Sequence, residues 1–147
     1  MIGGVSRGLL VAIIVTIVSL FFTQLHMHSF FVVVVIVLMT SILFALAGFI
    51  NAVYANNFDD ISIIPTFVLT PLIYLGGVFY SMDLLPEFWA NVSKLNPLVY
   101  VVNAFRYGVL GVSDVSLGFA FGMIAFFTAL AWFYSMHLLN TGKRLRQ

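Results

Sequence analysis

His26 and His28 form an H-x-H pair. Two imidazoles without further ligands fall short of a zinc site, which takes three or four protein ligands. The chain contains no cysteine, which removes disulfides, thiolate metal sites, iron–sulfur clusters and a cysteine nucleophile together. Serine and histidine are both present, but no G-x-S-x-G surrounds a serine and no G-x-x-x-x-G-K-[ST] supplies a phosphate cradle. No catalytic residue, metal ligand set or cofactor is expected, and any ATP chemistry belongs to another polypeptide. Two polar clusters remain. Asn56, Asn57, Asp59 and Asp60 crowd into one short stretch, where a solvated helix connection or a docking point for a partner is expected. Asp83, Glu87, Lys94 and Arg106 lie further on, with the composition of a locally paired charge group.

The elements that must position these groups are apolar. Of the 147 residues, 63% are hydrophobic and 7% charged, against about 25% charged in a soluble domain. The formal net charge of +1 offers no basis for nucleic-acid binding. Crossing a hydrocarbon core of roughly 30 Å takes about 20 mostly apolar residues. Four segments approach that requirement: 9–25, 30–54, 61–80 and 117–139. The second is the clearest, with about fifteen Leu, Ile, Val or Phe between Phe30 and Ile50 and no charge. The first carries one arginine and then an apolar run with no small-residue cleavage site after it, so it is expected to be retained as a span. The expected fold is therefore an all-α membrane protein, a single transmembrane domain over 1–147 built as a bundle of four transmembrane helices.

Arg7 precedes the first span, and Lys143, Arg144 and Arg146 follow the last, which puts both termini in the cytoplasm. The 56–60 turn then faces the cytoplasm and the 81–116 segment lies outside. That segment is too polar to span, and it has helical spacing: Leu84, Leu85, Phe88, Val92 and Leu95, then Asn96-Pro97 as an N-cap with proline at the first helical position. A second helix is expected from there, with Leu98, Val101, Val102, Phe105 and Val109 as its apolar face. The two form an external amphipathic hairpin between the last two spans, dipping into the outer leaflet or capping the bundle. Trp89, Tyr100 and Tyr107 suit that depth.

Small residues at Ser41, Ala45, Gly48, Ala52 and Ala55 line one face of the second span, and Gly118, Gly122, Ala125 and Ala129 do so on the fourth. Such stripes let helix backbones approach closely in lipid, within the chain or between subunits. Pro65, Pro71 and Gly76-Gly77 interrupt the third span and predict a bent helix, either beside a translocation route or accommodated by packing alone. No charged residue falls inside an apolar core, which argues against proton-coupled and voltage-sensing mechanisms.

The run from Pro71 through Gly76-Gly77-Val78-Phe79-Tyr80-Ser81, then Leu85-Pro86, Asn96-Pro97-Leu98-Val99-Tyr100 and Phe105-Arg106-Tyr107, resembles the C-terminal part of type-2 ATP-binding-cassette exporter permeases. Among these it most resembles inner-membrane transport permeases of Gram-negative bacteria. The resemblance implies a permease of the inner membrane that dimerises, binds separate ABC ATP-binding subunits and exports a substrate between its protomers. The hairpin would be re-entrant, as in that family. Pro71, Gly76, Gly77, Phe79, Pro86, Asn96, Pro97, Arg106 and Tyr107 become candidates for the translocation path, Gly48, Gly118 and Gly122 for packing, and Asn57, Asp59 and Asp60 for cytoplasmic docking. Members of that family have six spans, so the first apolar segment here corresponds to their third. Two spans and the main coupling helix are then expected in a longer protein of which this is the C-terminal portion. A channel or scaffold without an ATPase partner is the alternative. An apolar wall with aromatic rims suits lipids, lipid-linked sugars, drugs or peptides alike.

Overall fold

The computed structural model describes residues 2–22, 28–79 and 84–141. His26 and the cationic cluster Lys143, Arg144 and Arg146 lie outside the described residues, as do Tyr80, Ser81 and Asp83. Helix α1 spans Ile2–Phe22 and α2 Phe30–Tyr54. A segmented run follows, α3 over Phe58–Ile64, a π-helical turn over Pro65–Leu69 and α4 over Thr70–Tyr74. Helices α5, Glu87–Ser93, and α6, Pro97–Leu110, form a helical pair, and α7, Leu117–Thr141, closes the chain.

Among the described residues, three helices are long and apolar enough to cross a membrane: α1, α2 and α7. The third expected segment is helical but broken. Its 17 residues from Phe58 to Tyr74 reach roughly 25 Å at helical rise, after which Leu75 to Phe79 turn away. The interruptions fall at the prolines because each lacks the N–H that the helical ladder needs. Helix α1 begins ahead of the expected position 9, so Arg7 lies within the helix with its side chain exposed.

The core sits where α6 crosses the beginnings of α2 and α7. Ile36, Tyr100, Ala104, Ala120 and Ile124 form one buried cluster there. Early residues of α2 meet early residues of α7, and at the far end the hydroxyls of Tyr54 and Tyr134 bond to each other, so the two helices run parallel. Helix α1 lies along α2 and contributes no buried residue. The close approach comes from α1's own glycines: a Cβ at Gly4 would meet the Ala45 side chain at 2.9 Å, and one at Gly8 would meet Ser41 Oγ at 2.5 Å. The small residues Ser41 and Ala45 thus admit α1. Among the described residues, nothing lies within 4 Å of a Cβ placed at Gly48, Gly118 or Gly122.

The apolar face of α6 is not its buried face. The buried face is Val99, Tyr100, Asn103, Ala104 and Gly108, while Phe105 is exposed and Leu98, Val101, Val102 and Val109 are only half-buried. Helix α5 is inverted in the same sense: Ser93 is fully buried, while Phe88, Trp89 and Val92, with Leu95 just beyond, face outward. Apolar periodicity marks the buried side only when the surroundings are water. In lipid the apolar face has no reason to turn inward, and small or hydrogen-bonded residues take the interior.

Candidate functional site

The residues singled out by type and spacing converge on the broken helix and the α5–α6 pair that holds its end. At α4, Leu75 N donates to Pro71 O at 3.0 Å and Gly76 N to Ile73 O at 3.1 Å. That tightening leaves the Leu72 carbonyl without its helical donor. Asn96 supplies one, its Nδ2 lying 2.6 Å from Leu72 O, while its Oδ1 accepts from Leu98 N at 2.9 Å. Asn96 is therefore both the N-cap of α6 and a clasp on α4, and Pro97 follows at the first helical position as expected.

Gly76 is buried against α6, where a Cβ would sit 3.2 Å from the Leu98 Cβ. Gly77 turns the chain at φ 74°, a conformation that glycine adopts without strain. Its carbonyl accepts from Arg106 Nη2 at 2.6 Å, and Arg106 Nη1 pairs with Asp114 Oδ2 at 3.1 Å. One guanidinium thus bridges the turn after α4 and the loop before α7, its planar fork presenting a separate N–H group to each acceptor. The charge group expected in the hairpin can be followed at three of its four members. Arg106 pairs with Asp114, Lys94 Nζ donates to Asn91 Oδ1 at 3.0 Å, Glu87 occupies the exposed first turn of α5, and Asp83 lies outside the described residues.

Asp114, Ser113 and Asn103 belong to this site although the sequence did not single them out for it. Asn103 is buried on α6 and fully engaged: its Nδ2 donates to Val99 O at 2.9 Å and its Oδ1 accepts from Asp114 N at 2.9 Å and from Ser113 Oγ at 3.3 Å. Tyr100, also buried, donates its hydroxyl to Lys94 O at 2.5 Å. Burial pushes its phenol above the usual tyrosine range, so it stays a neutral donor. Tyr107 sets its ring edge-on to His28 at 5.3 Å, and His28 N and Ser29 N donate to Val109 O and Gly108 O at 3.2 and 2.9 Å. Of the remaining candidates, Pro71 lies exposed in the first turn of α4, Pro86 caps α5, and Phe79 is exposed with its ring tilted against Tyr74 at 5.9 Å.

The polar turn near residue 57 is partly used up by local structure. Asp60 Oδ2 accepts from Asn56 N at 2.9 Å and Asn57 N at 3.2 Å, closing the start of α3. Asp59 and Asn57 are exposed beside it. At the same end Asn51, a buried asparagine in an otherwise apolar helix, donates through Nδ2 to Ile61 O at 2.9 Å. Its position inside so apolar a run was the signal that could have marked it. An apolar cavity of about 350 Å³ lies between α1, α2 and α6, lined by Gly8, Val11, Ile36, Phe44 and Phe105. Thr40 Oγ1, beside it, is buried with no partner among the described residues. No group of three or more His, Cys, Asp or Glu able to hold a metal occurs among the described residues.

Comparison with known proteins finds one family and a set of curated relatives. The profile of the ABC-2 type transporter family (ABC2_membrane) matches residues 1–110. The inner membrane transport permease YadH of Escherichia coli (strain K12) is 51% identical over 144 residues, covering 98% of this chain and 56% of the relative. Nodulation protein J of Rhizobium meliloti (strain 1021) is 25% identical over 105 residues, covering 71% of this chain and 40% of the relative. The chain spans about half the length of the curated relatives it matches. No solved structure matches it.

Proposed function

The chain belongs to the ABC-2 type transporter family, and on that premise we propose that it forms part of the permease of an ATP-driven exporter in the inner membrane. ATP is hydrolysed on a separate ABC ATP-binding subunit, and a second copy of the complete permease closes the path. Both termini and the turn around Asn57 face the cytoplasm, and the α5–α6 pair is external and re-entrant. The segmented helix 58–79 is the fourth crossing, its turn at Leu75–Phe79 making up the length that the helical part lacks. Asn57 and Asp59 are offered to the ATP-binding subunit, with Asp60 holding their turn in shape. Gly48, Gly118 and Gly122, open among the described residues, are contact points for helices outside this chain.

What supports an exporter wall is the broken helix. Residues 61–68 are all exposed, yet the two ends of the segment are tied by side-chain donors to α2 and the hairpin. The segment is held in place with its surface open, as a wall beside a path requires. The nine path candidates, Pro71, Gly76, Gly77, Phe79, Pro86, Asn96, Pro97, Arg106 and Tyr107, either belong to this wall or set its outer end.

The test is capture of a cognate ABC ATP-binding subunit in detergent by a permease of the relatives' full length and by this chain alone, followed by ATP turnover in liposomes. Firm capture by the longer protein, with weak capture and no intrinsic ATPase activity for the 147-residue chain, is expected. One short turn cannot supply the roughly 1,200 Å² that stable interfaces bury. Failure of the full-length protein to capture or stimulate the subunit would favour a channel or scaffold instead.

A further inference from the structure

Pro65 has no N–H, so the carbonyl of Ile61, four residues earlier, lacks its regular helical donor. In water such an orphan would be solvated; in a hydrocarbon environment it must find a partner in the protein. The partner is Asn51 Nδ2 at 2.9 Å, reaching across from α2. At the other end, the Leu72 and Gly77 carbonyls, released where α4 unwinds, receive Asn96 Nδ2 and Arg106 Nη2, each at 2.6 Å. Each of the three breaks in the backbone ladder is thus repaired by a side chain from a different place: α2, the α5–α6 corner, and α6.

Between these points the segment has little else to hold it. Residues 61–68 are exposed, and the π turn Pro65–Leu69 closes with Thr70 Oγ1 at 3.3 Å from Pro65 O. A π turn is a locally underwound and less stable stretch of ladder. Two stiff ends and a soft middle define a strap.

We infer that Asn51, Asn96 and Arg106 are positioning residues that pin the two ends of the 58–79 segment, so that displacement of α2 or of the α5–α6 pair is carried into the segment and taken up at the Pro65–Leu69 turn. Asn51 acts as a stand-in for the missing Pro65 amide. The consequence is chemical: replacing Pro65 by alanine restores an N–H that can serve Ile61 O, and Asn51 then becomes dispensable. A packing role for Asn51 would not respond to residue 65 in this way.

The experiment is amide hydrogen exchange followed by mass spectrometry on the full-length permease in lipid nanodiscs, for wild type, Asn51→Leu, Pro65→Ala and the double variant. Asn51→Leu should speed exchange of peptides covering 61–70 by roughly fivefold, the equivalent of one net hydrogen bond, and leave those covering 75–79 unchanged. Arg106→Gln should do the opposite. In the Pro65→Ala background, Asn51→Leu should change exchange of 61–70 by less than about twofold. Equal acceleration in both backgrounds, or none in either, overturns the assignment. If Asn51→Leu alone fails to fold, recovery of folding in the double variant supports it, and failure of both refutes it. Transport measured beside ATP turnover provides a second arm that rests on the function proposed above. Asn51→Leu should lower transport per ATP hydrolysed, and the exchange result stands independently of whether any transport is found.

Discussion

Gly108 of α6 packs closely against the first turn of α2, and a single methyl group there should separate the two helices. A Cβ at Gly108 would sit 2.7 Å from Val33 Cγ2, 3.2 Å from Val33 N and 3.3 Å from Val32 Cγ1. Valine in a helix has one strongly favoured rotamer, and a backbone nitrogen moves only with its helix, so α2 itself must shift. The shift strains the bonds beside it, Ser29 N to Gly108 O and His28 N to Val109 O. Overpacking costs about 1–3 kcal/mol, and weakening two backbone bonds adds about 1 kcal/mol. Alanine's better helix propensity offsets about 1 kcal/mol, leaving Gly108→Ala about 2 kcal/mol less stable. Gly48→Ala and Gly122→Ala meet nothing within 4 Å and should be neutral, or stabilising by up to about 1 kcal/mol. Unfolding of the three variants by sodium dodecyl sulfate in mixed micelles, followed by circular dichroism, measures the difference. If Gly108→Ala and Gly48→Ala unfold at the same detergent fraction, the close approach is not what positions α6 on α2.

Asn96→Ala should cost about 2 kcal/mol by losing both the cap on Leu98 N and the donor to Leu72 O, whereas Asn96→Asp keeps the cap and should cost about half as much. Equal losses in the same unfolding assay would show that one of the two bonds contributes nothing. Asp60→Ala should fray the start of α3, read as faster hydrogen exchange at the amides of Asn56 and Asn57 with α7 unchanged; unaltered exchange there would remove the capping role. For topology, a cysteine at Asn91 should react with an impermeant thiol reagent in intact cells and one at Thr141 should not, and the reverse pattern would invert the proposed orientation.

Composition and local geometry alone determined a good part of this molecule. Helices α1, α2 and α7 are readable because insertion into lipid depends on summed side-chain hydrophobicity along a continuous run. The Asn96-Pro97 helix start and the breaks near Pro65 and Pro71 are readable because they depend on one residue's own backbone chemistry. Much of the candidate site was legible in the same way, since Gly76, Gly77, Asn96 and Arg106 are unusual residues in an apolar sequence.

Their partners were decided by the tertiary structure. Arg106 finds Gly77 and Asp114 because the turn at Gly77 and the loop at Asp114 both come to lie beside α6. Asn51 meets Ile61 only because α3 folds back beside α2. Gly8 and Gly108 make close contacts while Gly48, Gly118 and Gly122 do not, since a glycine's use depends on which backbone passes over it. Helix α6 turns Asn103 inward and Phe105 outward because every polar atom of Asn103 is matched in the interior while lipid accepts the phenyl ring without cost. The sequence specifies which carbonyls and side chains need partners, through energies that are local to the chain. Which partner each one meets is fixed by packing across tens of residues, and in a bilayer no hydrophobic gradient between core and surface exists to reveal it in advance.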